Sequence, residues 1–423
     1  MEKLIIEGER KLEGEVKVHG AKNGALPILA ATLMIKGESI IHNCPNLSDV
    51  RASQKILEHL GCKCVREGDT LIVDATDVSC CEIPENLMRE MRSSIVFLGA
   101  VSTRCGKAVL SSPGGCEIGP RPIDLHISAL KELGLVIDES HGCINAVCDS
   151  KMKGSNIYLS IPSVGATENI MIAASTAIGT TKICNAAREP EITDLARFLN
   201  KAGAKIRGAG SSDIVIEGVE SLHSVEHTVI PDRILTATYM SAAAITGSNI
   251  LLRDICQEHL KATVSAFRDL GCDITFSDDD MRIAGPKRLK RLKSVRTHYF
   301  PGFPTDAGPM LIAAAATADG TSIFIENIFE NRFKFADELN RLGADINVEG
   351  RTAVVDGVKH LSGASVKCTD LRGGAALMVA AFAASGVTEL HDIYHIDRGY
   401  ETPEKYYQAL GANIKRIKDN EGQ

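Results

Sequence analysis

The chain contains no tryptophan, and its tyrosines and phenylalanines bring aromatics to only 4% of 423 residues. Without aromatic platforms for bases, and with a formal net charge of -7, it is not expected to bind nucleic acid. Long hydrophobic runs are missing too. The longest, from Ala375 to Ser385, is too short to cross a bilayer, so no membrane partner is expected. Metal-ligand patterns are absent. The pairs Cys62/Cys64 and Cys80/Cys81 lack the spacing of zinc knuckles, and neither His223/His227 nor His391/His395 belongs to an HExxH. Nucleotide loops are absent as well. Residues 99–108 lack the P-loop spacing and a Ser or Thr after Lys107, and Gly208-Ala209-Gly210 lacks the third glycine of a dinucleotide fingerprint. The opening residues Met1 to Glu7 carry charge too early for an export signal, so the 13 cysteines are expected to be reduced thiols of a cytoplasmic protein.

What the chain has is repetition. Leu60-Gly61-Cys62, Leu133-Gly134-Leu135, Ala202-Gly203-Ala204, Leu270-Gly271-Cys272, Leu342-Gly343-Ala344 and Leu410-Gly411-Ala412 place six glycines 73, 69, 68, 72 and 68 residues apart. Each follows a helix-like segment and precedes a strand-like one, the place of a helix C-terminal cap. Upstream lie alanine-rich segments, such as Ala25 to Leu33, Glu168 to Ala177, Ala237 to Ala244, Met310 to Ala318 and Ala375 to Ala384. Apolar nearly all round, they read as buried helices. One unit reads as helix, strand, helix, strand, strand. A solenoid of two-sided repeats would not bury its first helices in this way, so the units are expected to surround common cores, three to a core. The fold class is therefore α/β (α+β), with a cut near Val229 to Asp232. One domain is expected over 21–230 and the other over 1–20 plus 231–423.

The residues opening the buried helices keep a near-constant register to the cap glycines. Lys22, Arg92, Gly165, Arg233, Asp306 and Arg372 precede them by 39, 42, 38, 38, 37 and 39 residues. Helix N-termini offer unpaired N–H groups and partial positive charge, and Lys or Arg beside them adds a full charge. The simpler reading makes Ser163, Asp232, Thr305 and Asp370 plain caps. Six positions in register, four of them basic, point instead to a phosphate or carboxylate ligand.

One loop stands apart. Ser112-Pro113-Gly114-Gly115-Cys116-Glu117-Ile118-Gly119-Pro120-Arg121-Pro122 holds three glycines and three prolines, so it continues neither helix nor central strand. It carries the thiol of Cys116 five residues before the guanidinium of Arg121, and a nearby cation favours a thiolate.

Together with Gly20-Ala21-Lys22-Asn23, Arg121-Pro122-Ile123-Asp124-Leu125, Ser163-Val164-Gly165-Ala166-Thr167-Glu168-Asn169, Phe329-Glu330-Asn331-Arg332-Phe333 and Arg398-Gly399-Tyr400-Glu401, this loop resembles the bacterial UDP-N-acetylglucosamine enolpyruvyl transferases over nearly the whole chain. The resemblance implies two inside-out α/β barrel domains of three repeats each. It implies transfer of the enolpyruvyl group of phosphoenolpyruvate to the 3′-hydroxyl of UDP-N-acetylglucosamine with release of phosphate, the first committed step of peptidoglycan precursor synthesis. Lys22, Asn23, Arg121, Arg372 and Arg398 would hold phosphoenolpyruvate. Asn23, Arg92, Arg121, Pro122, Ile123, Asp124, Leu125, Ser163, Val164, Gly165, Asp306 and Ile328 would line the UDP-sugar site, with Arg332 and Asp370 in support. Cys116 would be the general acid and Asp306 a base, with Asp370 the alternative; Lys22 and Arg398 complete the catalytic set. No metal or organic cofactor is called for.

The anion-binding groups are divided between the two expected domains, which are therefore expected to close on ligand. A shikimate-pathway enolpyruvyl transferase and a non-catalytic UDP-sugar-binding paralogue are the rival readings. Cys116 has no counterpart role in the first, and the presence of Cys116 and Asp306 opposes the second. The chain departs from the family pattern at Pro304-Thr305-Asp306-Ala307-Gly308-Pro309, where glycine stands in place of the usual glutamine. Asp306 is expected to accept backbone N–H bonds at its helix start and, without the glutamine amide, to be less rigidly placed.

Overall fold

The computed structural model describes residues 2–111, 123–148 and 150–418. It divides into two compact units, one formed by described residues 20–230, the other by 2–19 with 231–418.

Six helices form the interiors: α1 (Lys22–Thr32), α2 (Phe97–Cys105), α3 (Val164–Ala174), α4 (Arg233–Thr246), α5 (Gly308–Ala315) and α6 (Leu371–Ala383). Their small side chains let helices approach closely, and helices apolar on all sides must be covered on all sides. Ten of the 11 residues of α1 are buried, and 12 of the 13 of α6. Within the 20–230 unit α1, α2 and α3 pack on one another, and within the other unit α4, α5 and α6 do the same.

Among the described residues six four-stranded sheets wrap these helices, three per unit, in one recurring order. In the third, Asn156–Tyr158 pairs parallel with Thr180–Cys184, which pairs antiparallel with Asp213–Glu217, which pairs antiparallel with Lys205–Arg207. Alternate residues of the strands are buried, as in the pattern exposed-buried-exposed-buried along Thr180 to Ile183, so one face meets the helices and the other faces solvent. Between the strands run amphipathic outer helices such as Ser48–His59, which buries Asp49, Val50, Ala52, Ser53, Ile56 and Leu57 at helical spacing. The six cap glycines follow the outer helices with φ between 88° and 105°, from Gly343 to Gly61, the left-handed region that glycine enters without a Cβ penalty.

The repeat has one strand more than the sequence pattern suggests. A leading strand, parallel to the one after the buried helix, makes each unit strand-helix-strand-helix-strand-strand. The leading strands are short, from two residues (Glu82–Ile83, Val295–Arg296) to five, too brief to register as alternation. Two of them come from distant chain. Val225–Thr228 leads the sheet of Glu38–His42, and Glu13–Lys17 leads the sheet of Asn249–Arg253. Glu2–Glu7 is inserted between Val387–His391 and Asn413–Lys418, antiparallel to both.

Candidate active site

The positions in register do open the buried helices. Lys22 is the first residue of α1, Arg92 starts a 3-10 turn (Arg92–Val96) that runs into α2, and Gly165 is the second residue of α3. Arg233 is the first of α4, Asp306 lies in the 3-10 turn Thr305–Ala307 before α5, and Arg372 is the second of α6. Three of the four suspected caps do cap. Ser163 accepts from Ala166 N, Asp232 from Ile234 N and Leu235 N, and Asp370 from Arg372 N and Gly373 N. Thr305 does not; its hydroxyl donates to Glu326 Oε2 at 2.8 Å.

In the 231–418 unit the centre is Asp306. It caps no helix. Its Oδ1 accepts from Arg332 at 2.8 Å, and its Oδ2 accepts from Arg372 Nη2 at 3.3 Å and Nε at 3.4 Å. Two guanidinium groups thus contact both oxygens of its carboxylate, charge-assisted bonds independent of the missing glutamine amide. Arg332 is 2% exposed, donates also to the Thr305 carbonyl, and comes within 4.0 Å of Asp370. Arg372 donates to the Tyr400 hydroxyl at 3.2 Å, and that hydroxyl shares a 2.9 Å bond with Thr238 of α4. Burial opposes the charge on Arg372, but Tyr400, Asp306 and Asp232 outweigh it and push its pKa up; burial raises the pKa of Tyr400, against the pull of Arg372. Glu326, 1% exposed, accepts from Thr297 and Thr305 and from the N–H groups of Ile328 and Phe329. It thereby fixes the half-buried Ile328 beside the Asp306 turn. Arg398 ends the 3-10 turn Ile393–Arg398, which packs on α6.

In the 20–230 unit Lys22 is 8% exposed, and its ammonium lies 3.1 Å from Asp49 Oδ2. Asn23 follows it, half-buried. Ile123 precedes the helix Asp124–Glu132, with Asp124 exposed and Leu125 half-buried in its first turn. The next residue, His126, is buried. Asn169 binds the Gly99 N–H through Oδ1 and the Ile95 carbonyl through Nδ2, so the amide is oriented and Nδ2 donates to His126 Nδ1 at 3.0 Å. The ring proton is thus assigned to Nε2. Burial, then the charge of Arg92, lowers the His126 pKa to about 4, so the ring is neutral. A Cβ on Gly165 would stand 3.0 Å from His126 Cε1, a tight approach to which the buried ring would have to yield. Glu168, one turn on, has its carboxyl pushed well up by burial, with Glu191 and Glu189 adding repulsion. Cys116, Arg121 and Pro122 lie outside the described residues. Among the described residues no cluster of His, Cys, Asp or Glu has the geometry of a metal site, and no helix is long and apolar enough to cross a membrane.

Comparison with known proteins starts from residues 6–406, which match the profile described as EPSP synthase (3-phosphoshikimate 1-carboxyvinyltransferase). Over 99% of this chain and all of the relative, the sequence is 52% identical to UDP-N-acetylglucosamine 1-carboxyvinyltransferase 2 of Caldanaerobacter subterraneus subsp. tengcongensis. The chain belongs to the enolpyruvyl (1-carboxyvinyl) transferase family. A second relative of the transferase, UDP-N-acetylglucosamine 1-carboxyvinyltransferase 1 of Symbiobacterium thermophilum, is 52% identical over 98% of this chain and 95% of its own. The enolpyruvyl transferase NikO from Streptomyces tendae has a similar structure, with a TM-score of 0.88 at 26% identity over 98% of both chains. An EPSP synthase from Acinetobacter baumannii, at 18% identity and a TM-score of 0.76 over 99% of this chain and all of its own, shares the fold. The inside-out two-domain α/β architecture is that of this family.

The sequence pointed to Lys22, Arg92, Asp306, Arg332, Asp370 and Arg372 in this transferase, but not to the groups that hold them. Asp49 looks like an acid decorating a first turn and Glu326 like a strand-end charge. Tyr400 and Asn169 lie inside recognised motifs and His126 lies one residue past another, but nothing local says what each of them holds.

Proposed function

We propose that the protein transfers the enolpyruvyl group of phosphoenolpyruvate to the 3′-hydroxyl of UDP-N-acetylglucosamine and releases phosphate, at the entry to peptidoglycan precursor synthesis. The observation that carries this reading is 52% identity, end to end, with a UDP-N-acetylglucosamine 1-carboxyvinyltransferase. In the reaction the sugar hydroxyl oxygen bonds to C2 of phosphoenolpyruvate while its proton passes to Asp306. Cys116 delivers a proton to C3, converting the methylene to a methyl group. Loss of phosphate from C2 and of one methyl proton then restores the double bond. Lys22, Asn23, Arg121, Arg372 and Arg398 hold the phosphate and carboxylate of phosphoenolpyruvate, since planar guanidinium groups bind such anions in a bidentate manner. Arg92, Ile123 to Leu125, Ser163 to Gly165 and Ile328 take the UDP-sugar. The Asp306 carboxylate, held by two guanidinium groups and still 27% exposed, supports its place as the group facing the hydroxyl.

Phosphate release tests the proposal. Phosphate should appear with phosphoenolpyruvate plus UDP-N-acetylglucosamine and not with phosphoenolpyruvate plus shikimate 3-phosphate; the reverse would overturn it. Cys116→Ser should lose roughly 10²–10⁴-fold in turnover, because a serine hydroxyl is a poor acid near neutral pH, whereas Cys116→Asp should keep part of it. If both variants turn over like the parent, Cys116 is not the acid.

A further inference from the structure

The ammonium of Lys22 and the carboxylate of Asp49 form a contact of 3.1 Å with side chains only 10% and 3% exposed. They come from different elements, Lys22 from the first residue of α1 and Asp49 from the first turn of the outer helix Ser48–His59. A buried ion pair is a weak source of stability, because the cost of desolvating both charges offsets their attraction. What such a pair does well is fix geometry. A lysine is a point charge on a flexible four-carbon stem, and a carboxylate at one side holds it in one place. Asp49 in turn sits where the helix dipole favours its negative charge.

We propose that Asp49 is a positioning residue for the transferase: it holds the Lys22 ammonium in the orientation that receives the anionic substrate. The proposal rests on the reading that Lys22 binds phosphoenolpyruvate. The elements packed against α1 are Arg92–Val96, α2, α3 and the outer helices Ser48–His59 and Pro190–Lys201. Besides Asp49, the charged groups they bring from their helix starts and buried faces are Arg92, Glu168, Glu189, Glu191 and Asp194. Asp194 is engaged by His227 at 3.0 Å and by the Ile230 N–H, and Glu168 favours its protonated form. Asp49 is a carboxylate in direct contact with the ammonium, at 3.1 Å, and such a contact favours the charged form of a lysine.

The test compares Asp49→Asn and Asp49→Glu with the parent in steady-state kinetics from pH 6 to 10. In Asp49→Asn the KM for phosphoenolpyruvate should rise by about tenfold or more and the alkaline limb of kcat/KM should move to lower pH by roughly one unit. UDP-N-acetylglucosamine affinity by calorimetry should stay within about twofold, and Asp49→Glu should recover part of the loss. A folded Asp49→Asn enzyme with an unmoved KM and an unmoved alkaline limb overturns the proposal. Should Asp49→Asn fail to fold, Asp49→Glu decides, since it keeps the charge and moves it by one methylene; an unchanged KM for phosphoenolpyruvate there overturns it equally. If the parent releases no phosphate at all, the functional reading has failed instead. The Lys22 13Cε titration by NMR, assigned with Lys22→Arg, then still tests the pair: it should shift on Asp49→Asn, and an unmoved titration overturns it.

Discussion

His126 shows how one side chain can be read as chemistry. Its surroundings oppose a charge: burial removes water, Arg92 stands nearby and Asn169 donates to Nδ1, and together these outweigh the Asp124 carboxylate. Its folded pKa of about 4 lies below its ordinary value of 6.5. Between those values the unfolded chain binds more protons than the folded one, so stability falls as pH falls through that window. The loss amounts to roughly 3 kcal/mol by pH 4 relative to neutral pH. His126→Gln, which keeps an acceptor for Asn169, should be less acid-sensitive than the parent between pH 7 and 4.5 in denaturant titrations. Parallel pH curves for the two proteins would show that the ring is not held neutral. At the same scale, Asp306 illustrates a residue whose type was legible and whose restraint was not. The carboxylate was visible in the sequence, but the guanidinium groups of Arg332 and Arg372 that grip it come from 26 and 66 residues away.

At the scale of elements, the helix starts carry the site, and α5 is the irregular one. It begins Gly308-Pro309 after a 3-10 turn. Gly308 has φ -54° and ψ -50°, and among the described residues a Cβ there would meet nothing within 4 Å. The next residue is Pro309, whose ring crowds a preceding Cβ when that residue is helical, so the backbone here favours glycine although space does not require it. Gly308→Ala should therefore gain none of the roughly 0.5–1 kcal/mol that the change brings inside an ordinary helix, and should leave UDP-sugar affinity unchanged. Thermal unfolding beside calorimetric binding checks both; a raised Tm would mean that the turn relieves the clash with the proline ring. At Gly165 the pressure comes from packing: an added Cβ would stand 3.0 Å from the His126 ring, which would have to give by a few tenths of an ångström.

For the whole molecule, the notable consequence of the repeat is that the chain's first strands belong to the unit its last residues complete. Glu2–Glu7 is hydrogen-bonded on both sides, to Val387–His391 and to Asn413–Lys418, and Glu13–Lys17 supplies the parallel partner of Asn249–Arg253. Deleting residues 1–17 would open two strand edges in one sheet and remove a leading strand from another, exposing Leu4, Ile6 and Leu12 contacts that are fully buried. The 231–418 unit should then become protease-sensitive and lose its cooperative transition. The 20–230 unit, whose three sheets are built from its own strands, should stay resistant. Limited proteolysis with mass spectrometry separates these outcomes, and equal resistance of both units would contradict this account of the N-terminal strands.

The sequence by itself determined the six-fold repeat, the buried helices, the cap glycines and the basic or acidic residue opening five of the six helix starts. All of these are local signals, set by 3.6-residue periodicity, by the conformational freedom of glycine and by residue spacing. Tertiary structure decided the rest. Leading strands of two to five residues are too short to announce themselves, and they are recruited by pairing partners that lie as far off as Val225–Thr228 is from Glu38–His42. The holding roles of Asp49, Glu326, Tyr400 and Asn169 were invisible for the same reason, although Tyr400 and Asn169 stand inside recognised motifs. A carboxylate, a phenol or an amide acquires its role only from what it touches, and here each touches a residue distant in sequence, which no local pattern encodes.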